Sequence, residues 1–83
     1  MKRPIVDGPE GAFARSVLRL RAGQHLTLKA LSERSGVAYS VISLVERGQR
    51  ACLLRTALAL AEALGSSVGE MIASGAVEDQ EAS

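Results

Sequence analysis

The sequence has very little of several residue types that define whole classes of site. It contains one cysteine, one histidine, one tyrosine, one phenylalanine and no tryptophan in 83 residues. A lone cysteine excludes an internal disulfide framework, and with a single histidine the chain has no ligand set at zinc spacing. We therefore expect a fold held by packing, with no metal and no cofactor.

Catalytic sets and long apolar runs are missing as well. The sequence offers no nucleophile with a base and an orienting group, so we expect no enzyme activity and no catalytic residues. The opening MKRPIVDGPEG has two basic residues but no apolar run behind them, unlike a signal peptide. No stretch approaches the roughly 20 apolar residues of a membrane span. A cytoplasmic protein is the resulting expectation.

What is abundant is alanine and leucine, which favour helix, and no strand pattern is visible. The apolar spacing and the start and stop residues predict an all-α fold in one small domain, a compact five-helix bundle. The clearest signals are a capping box from Asp7 to Glu10, Thr27 as an N-cap, Gly36 as a helix end, and a second capping box from Ser67 to Glu70. The predicted helices are 9–22, 27–34, 38–46, 53–64 and 67–73. Residues 1–8 are predicted to be a flexible arm and 74–83 an acidic disordered tail.

Charge is distributed unevenly along the chain. All ten lysines and arginines lie in residues 1–55 with four acids, which gives this part +6, whereas residues 56–83 have five acids and no base. Such an asymmetry is typical of a protein with a polyanion-binding face and an acidic far side. Chance segregation in a short chain is the alternative.

The third predicted helix has an unusual outer face. At about 100° per residue, Tyr39, Ser40, Ser43, Leu44 and Arg47 share one sector, and the opposite side takes Ala38, Val41, Ile42 and Val45. The outer face has hydroxyl groups and one apolar side chain, where a solvent-facing helix usually has charged side chains. A helix that follows a short Gly-containing turn in this way is typical of a helix-turn-helix, whose second helix enters a DNA major groove.

At these residues the chain resembles the Cro and phage-repressor type of helix-turn-helix regulators, also called the xenobiotic response element family. The resemblance runs from about Phe13 to Ile72 and is carried by LTLKALSERSGVAYSVISLVERGQR and by ALAEALGSSVGEMI. It implies a lambda-repressor-like fold and a DNA-binding transcriptional regulator that is associated with the nucleoid. It further implies a repressor that binds a palindromic operator as a homodimer, with autoregulation, action on its own gene, as one form of this role.

The resemblance also implies roles for particular residues. Arg21 is expected to form a structural ion pair with Glu46, which is favoured here over a role in phosphate binding. The side chains expected at the DNA are Thr27, Leu28, Tyr39, Ser40, Ser43, Leu44, Arg47, Gln49 and Arg50.

The sequence departs from the family pattern at three positions. Leu28 stands where relatives commonly have Gln, a bidentate reader of adenine. Ala38 stands where relatives often have a Ser or Thr as the helix cap. Without that side-chain cap the helix is about 1 kcal/mol less stable. Cys52 stands where Pro is usual.

Several interpretations stay open at the sequence level. Leu18, Leu53 and Leu58 either thicken the core or form a dimer patch, and the outer side chains of the third helix either read DNA or simply face solvent. Cys52 is either a small apolar filler or a redox switch. The rival to a DNA-binding regulator is a protein-interaction module, or an antitoxin component, on the same helical scaffold.

Overall fold

The computed structural model describes the backbone of residues 8–82 and the side chains of residues 8–75. This part of the chain folds into five helices without a strand, which confirms the all-α prediction. The helices are α1 Gly8–Gly23, α2 Leu28–Ser35, α3 Tyr39–Glu46, α4 Leu54–Ala63 and α5 Val68–Ala82. The starts of all five, and the ends of the first four, lie within one residue of the predicted bounds. The predicted arm and the Asp7 cap fall outside the described residues, except for Gly8, which begins α1.

The end of α5 differs from the prediction. We expected this helix to stop near Ala73 and to give way to an acidic tail, but it continues to Ala82. Gly75 falls in the segment that was predicted to be the tail, yet it lies inside the helix, where α5 crosses α1. A Cβ added at Gly75 would lie 2.7 Å from the Ala12 carbonyl carbon and nearer still to its oxygen. The glycine therefore permits close helix packing and does not end the helix.

The core is built from apolar residues of all five helices. Its buried members are Phe13, Val17, Leu31, Ile42, Ala57, Leu60, Ala61, Leu64 and Met71. Leu31 of α2 is fully buried. Of the leucines left open by the sequence, Leu18, Leu53 and Leu58 are exposed, so they do not thicken the core.

Two polar contacts connect distant parts of the chain behind the helix-turn-helix. The buried Ser16 hydroxyl donates to the Met71 carbonyl oxygen at 2.6 Å, which joins α1 to α5. The Gln24 side-chain amide donates to the Leu64 carbonyl oxygen at 2.9 Å, which joins the end of α1 to the end of α4. Both satisfy backbone carbonyls that would otherwise lose hydration on burial. These contacts hold α1, α4 and α5 together, and these three helices support α2 and α3.

No helix within the described residues combines the length and the apolar character that a bilayer span requires. The same part of the chain contains no group of three or more His, Cys, Asp or Glu side chains that could hold a metal ion.

Candidate DNA-binding surface

The helix α2 is defined at both ends by its own sequence. The Thr27 hydroxyl accepts a hydrogen bond from the Ala30 backbone N–H at 3.0 Å, which confirms Thr27 as the N-cap. At the other end Gly36 has φ +79°, a conformation that glycine adopts without a steric penalty. Its N–H donates to the Ser32 carbonyl oxygen at 2.8 Å and closes the helix.

The turn between α2 and α3 is held by two serines that the sequence analysis did not single out. The Ser32 hydroxyl donates to the Val37 carbonyl oxygen at 2.6 Å. The Val37 N–H in turn donates to the Ser35 side-chain oxygen at 3.1 Å. Short polar side chains that bond to nearby backbone groups are typical of turns, so these serines were detectable in principle. They set the angle at which α3 leaves the turn.

The helix α3 has the two faces that its periodicity predicted. Ile42 and Val45 are buried at 0% and 1% exposure, whereas Tyr39 is 54% exposed. Ser40 is exposed, and Ser43 is half-buried. The hydroxyls therefore lie on the side of the helix that faces away from the core.

Ala38 was predicted to lie on the inner side of this helix, and that placement is wrong. It is the N-cap residue and is exposed, because the chain is still extended there, with ψ 139°. As expected from an alanine, it provides no side-chain cap. The first turn of α3 is therefore closed by backbone hydrogen bonds alone, from the Val41 and Ile42 N–H groups to the Ala38 carbonyl oxygen.

The predicted ion pair between Arg21 and Glu46 is present, and it has a third contact that the sequence did not indicate. The Arg21 Nε donates to Glu46 Oε2 at 2.7 Å and Nη2 donates to Oε1 at 3.0 Å, a bidentate arrangement. The Nη1 donates to the Leu26 carbonyl oxygen at 2.8 Å. The hydrogen bond to Glu46 raises the pKa of the Arg21 guanidinium, although partial burial acts in the opposite direction. One side chain of α1 thus fixes both the loop before α2 and the last residue of α3.

The cationic candidates lie just after α3. Arg47 is the exposed C-cap residue, and its Nε donates to the Ser43 carbonyl oxygen at 3.3 Å. Gly48 has φ +71°, and Gln49 is half-buried with its backbone N–H donating to the Leu44 carbonyl oxygen at 2.9 Å. Arg50 is exposed. The glycine turns the chain at the helix end, so that two guanidinium groups follow α3 on the surface.

The remaining two candidates lie at the start of α2. Thr27 is exposed, but its hydroxyl is already engaged as the N-cap. Leu28 is half-buried and packs against the core. Both residues therefore have structural roles, which the sequence analysis recognised for Thr27 and missed for Leu28.

A cleft of about 310 Å³ separates the turn before α3 from the start of α4. Arg50 and Arg55 line it together with Cys52 and Thr56. Burial raises the pKa of the Cys52 thiol, although Arg50 acts in the opposite direction. Reactive and redox-sensing cysteines have lowered pKa values. Cys52 also packs against the core, so its environment favours the apolar-filler interpretation.

Known proteins share this arrangement of helices. The model of the helix-turn-helix family matches residues 17–71. The fold is similar to that of the clp gene regulator ClgR from Corynebacterium glutamicum, with a TM-score of 0.78 and 26% identity over 87% of this chain and 77% of that chain. A second structure of ClgR gives a TM-score of 0.76 and 26% identity over 89% of this chain and 95% of that chain.

The restriction-modification controller protein C.AhdI from Aeromonas hydrophila is also similar. Its TM-score is 0.69, with 34% identity over 75% of this chain and 94% of that chain. No curated protein sequence gave a match. Because the family model covers well over half of the chain and includes every helix of the motif, this protein belongs to the Cro/C1-type helix-turn-helix family of DNA-binding transcriptional regulators.

Proposed function

We propose that this protein binds double-stranded DNA sequence-specifically, with α3 lying in the major groove, and that it regulates transcription as a repressor. The observation that carries the proposal is the outer face of α3, where hydroxyls are accessible while Ile42 and Val45 are fully buried behind them. An exposed helix face with few charges is suited to contact with base edges. Tyr39, Ser40, Ser43 and Leu44 are the proposed base contacts.

A second group of side chains is proposed to hold the phosphate backbone. Arg47, Gln49 and Arg50 follow α3 directly. Thr27 and Leu28 lie at the start of α2, where the N-terminal backbone N–H groups favour an anion and the Leu28 side chain offers only apolar contact. The surplus of positive charge in residues 1–55 supports the same orientation. We assign a structural role to Arg21 and Glu46, because their side chains form an ion pair with each other.

A homodimer on a palindromic operator is part of the proposal. One such module covers few base pairs, and two-fold symmetric relatives of this architecture place their half-sites about 34–36 Å apart. Leu53, Leu54 and Leu58 are 65%, 70% and 54% exposed at the start and along one side of α4. A cluster of exposed leucines of this kind is typical of a surface that is covered in an assembly. Leu60 of α4 and Met71 of α5 belong to the core instead.

The proposed setting follows from the proposed activity. A regulator that binds operator DNA works where the chromosome is, so we place the protein in the cytoplasm, associated with the nucleoid. Small regulators of this type commonly act on their own promoters, and autoregulation is the simplest form of the repressor proposal. The region upstream of the protein's own gene is therefore the first duplex to test.

The exposed leucines also support a second candidate function, a protein-interaction module or antitoxin component whose partner is another protein. The two candidates differ in their response to salt. A DNA-binding protein loses affinity steeply as salt increases, because each neutralised phosphate releases counterions. An interaction module has no reason to bind duplex DNA even at low salt.

The experiment is a titration of two labelled duplexes, the upstream region and a random sequence, at several salt concentrations. The wild type should prefer the upstream duplex and show a negative salt slope. Ser43→Ala should reduce the preference by less than the roughly 1 to 3 kcal/mol of a bidentate base contact, because a single hydroxyl discriminates weakly between bases. Arg50→Ala, as the matched control, should weaken both duplexes alike and lower the salt slope by about one unit.

Two results would reject parts of this proposal. Absence of binding to either duplex at low salt would favour the interaction module. Preservation of the preference in Ser43→Ala together with its collapse in Arg50→Ala would mean that α3 is not oriented as proposed. For the dimer, sedimentation at tens of micromolar should show a dimer for the wild type and a monomer for Leu58→Glu. A wild type that sediments as a monomer and binds half-sites independently would contradict the proposed dimer.

A further inference from the structure

The reading face of α3 has an unusual chemical composition. From Val37 to Val45 the chain contains no charged side chain and no Asn or Gln. The hydrogen-bonding side chains of this segment are the hydroxyls of Tyr39, Ser40 and Ser43. Amide and guanidinium groups are the side chains that bind one base with two simultaneous hydrogen bonds. The centre of the proposed interface therefore has no bidentate reader.

Hydroxyl groups alone discriminate poorly between base pairs. Each one can donate or accept, and its hydrogen rotates to suit the partner. Ser and Thr accordingly contact either kind of base-edge group in the major groove. The hydroxyls of Ser40 and Ser43 can support binding to many sequences, so another group must supply most of the preference.

The nearest guanidinium is not placed to supply it. Arg47 Nε donates to the Ser43 carbonyl oxygen at 3.3 Å, which directs the side chain back along its own helix end. Arg50 lies beyond the turn at Gly48 and lines the cleft toward α4. These positions suit phosphate contacts at the rim of the groove better than base contacts at its floor.

Leu44 is the aliphatic side chain on this face, where the aromatic ring of Tyr39, 54% exposed, lies at the start of the helix. It is half-buried and shares the outward sector of α3 with Ser40 and Ser43. The inward residues Ile42 and Val45 are fully buried, and Leu28 packs against the core cluster, but Leu44 is not a member of that cluster as far as the described residues define it. A half-buried leucine in this place keeps part of its apolar surface accessible on the outer face.

In the major groove the apolar group that distinguishes one base from the others is the C5-methyl of thymine. We infer that Leu44 contacts this methyl group, and that the operator half-site is specified mainly by one or two thymines facing α3. The inference rests on the proposed DNA-binding function and goes beyond it by naming the base feature that is recognised. Burial of one methyl group against a leucine corresponds to about a three- to fivefold change in affinity.

The test begins with selection of bound duplexes from a random-sequence pool. Thymine should be enriched at the same one or two positions in each half-site. Each enriched thymine is then replaced by deoxyuridine, which removes only the methyl group and keeps every hydrogen-bonding atom. Wild-type affinity should fall about three- to fivefold for each methyl removed. Replacement of the same base pair by 5-methylcytosine·guanine should bind more tightly than replacement by cytosine·guanine.

Two variants locate the contact on the protein. Leu44→Ala should bind the thymine and deoxyuridine duplexes with equal affinity, while Ser40→Ala, the neighbouring control on the same face, should keep the wild-type ratio. A thermal melt of each variant establishes that it is folded. Because the deoxyuridine comparison uses wild-type protein, the inference is tested even if Leu44→Ala is unstable.

The outcomes separate this inference from the proposal beneath it. An enriched motif that lacks thymine, or one whose thymines tolerate deoxyuridine, would overturn the methyl-recognition inference and leave sequence-specific DNA binding intact. A deoxyuridine effect that persists unchanged in folded Leu44→Ala would overturn the assignment to Leu44. Failure to enrich any duplex, with no salt-dependent binding, would overturn the proposed function itself.

Discussion

The pair formed by α1 and α5 and the pair formed by α2 and α3 are held in place by different kinds of interaction. The first pair joins the two ends of the chain through close backbone approach at Gly75 and the buried hydrogen bond from Ser16 to Met71. The second pair consists of neighbours in sequence, positioned by the Thr27 cap and by the turn at Gly36. The pair of α1 and α5, here called the platform, therefore depends on long-range packing. The pair of α2 and α3, here called the reading pair, depends largely on local hydrogen bonds.

A further difference exists within the reading pair. Both helices have eight residues, but α2 has a side-chain cap at its start and α3 has none. The other end of α3 is held from α1, because Arg21 binds Glu46, its last residue. Because Arg21 lies in α1, outside the helix-turn-helix, a substitution there should alter the orientation of α3. Four substitutions test this division of roles.

The largest effect is expected from Gly75→Ala in the platform. The added Cβ would meet the backbone of Ala12, which cannot move aside as a flexible side chain can. We expect the free energy of unfolding to fall by about 3 kcal/mol despite the better helix propensity of alanine. Gly69→Ala is the matched control in the same helix, since nothing lies within 4 Å of its Cβ position, and it should gain up to about 1 kcal/mol. Equal melting temperatures for the two variants would contradict close packing at Gly75.

Arg21→Ala should have the next largest effect, and it connects the two regions. It leaves Glu46 without its bidentate partner and the Leu26 carbonyl without its donor. We expect a loss of about 2 kcal/mol, below the value for a fully buried pair, because Arg21 retains 17% side-chain exposure. Arg21→Lys should recover part of this loss. Denaturant unfolding measures both, and an unchanged midpoint for Arg21→Ala would show that the pair does not stabilise the fold.

Thr27→Ala removes the cap of α2 and should cost about 1 kcal/mol. The hydroxyl that accepts from the Ala30 N–H is lost, while the neighbouring Leu28 keeps its packing against the core. Hydrogen exchange should increase at the first amides of α2 more than in α5. Uniform protection in both helices would argue that the cap is dispensable.

The smallest effect is expected from Ala38→Ser, which adds the cap that α3 lacks. A side-chain oxygen at this position can accept from the Ser40 or Val41 N–H of the first turn and should stabilise the protein by about 0.5 to 1 kcal/mol. Ala38→Val, which has no oxygen, is the control and should not stabilise. A melting temperature lower for Ala38→Ser than for wild type would indicate that the extended backbone at this position is unsuited to a cap.

Local chemistry in the sequence was sufficient for most helix boundaries and for the two faces of α3. Thr27, Gly36 and the Ser67–Glu70 pair, in which the Glu70 N–H donates to Ser67 Oγ at 3.2 Å, act on residues three or four positions away. Such interactions are fixed by spacing and residue type, so a reader of the sequence can identify them. The Arg21–Glu46 pair was predicted through family resemblance, since no local rule joins residues 25 positions apart.

Tertiary structure decided the features that depend on what lies across the molecule. Gly75 has the residue type of a helix stop, yet it permits the approach of α1, and only the position of Ala12 distinguishes the two roles. Leu60 and Leu58 differ by two positions in one leucine-rich helix, and the rotation of α4 against the core buries the first and leaves the second 54% exposed. The sequence by itself determined where helices form and which face of α3 is polar, because those follow from interactions within one or two turns. The close approach of α5 to α1 at Gly75 and the exposure of the α4 leucines required the packed fold.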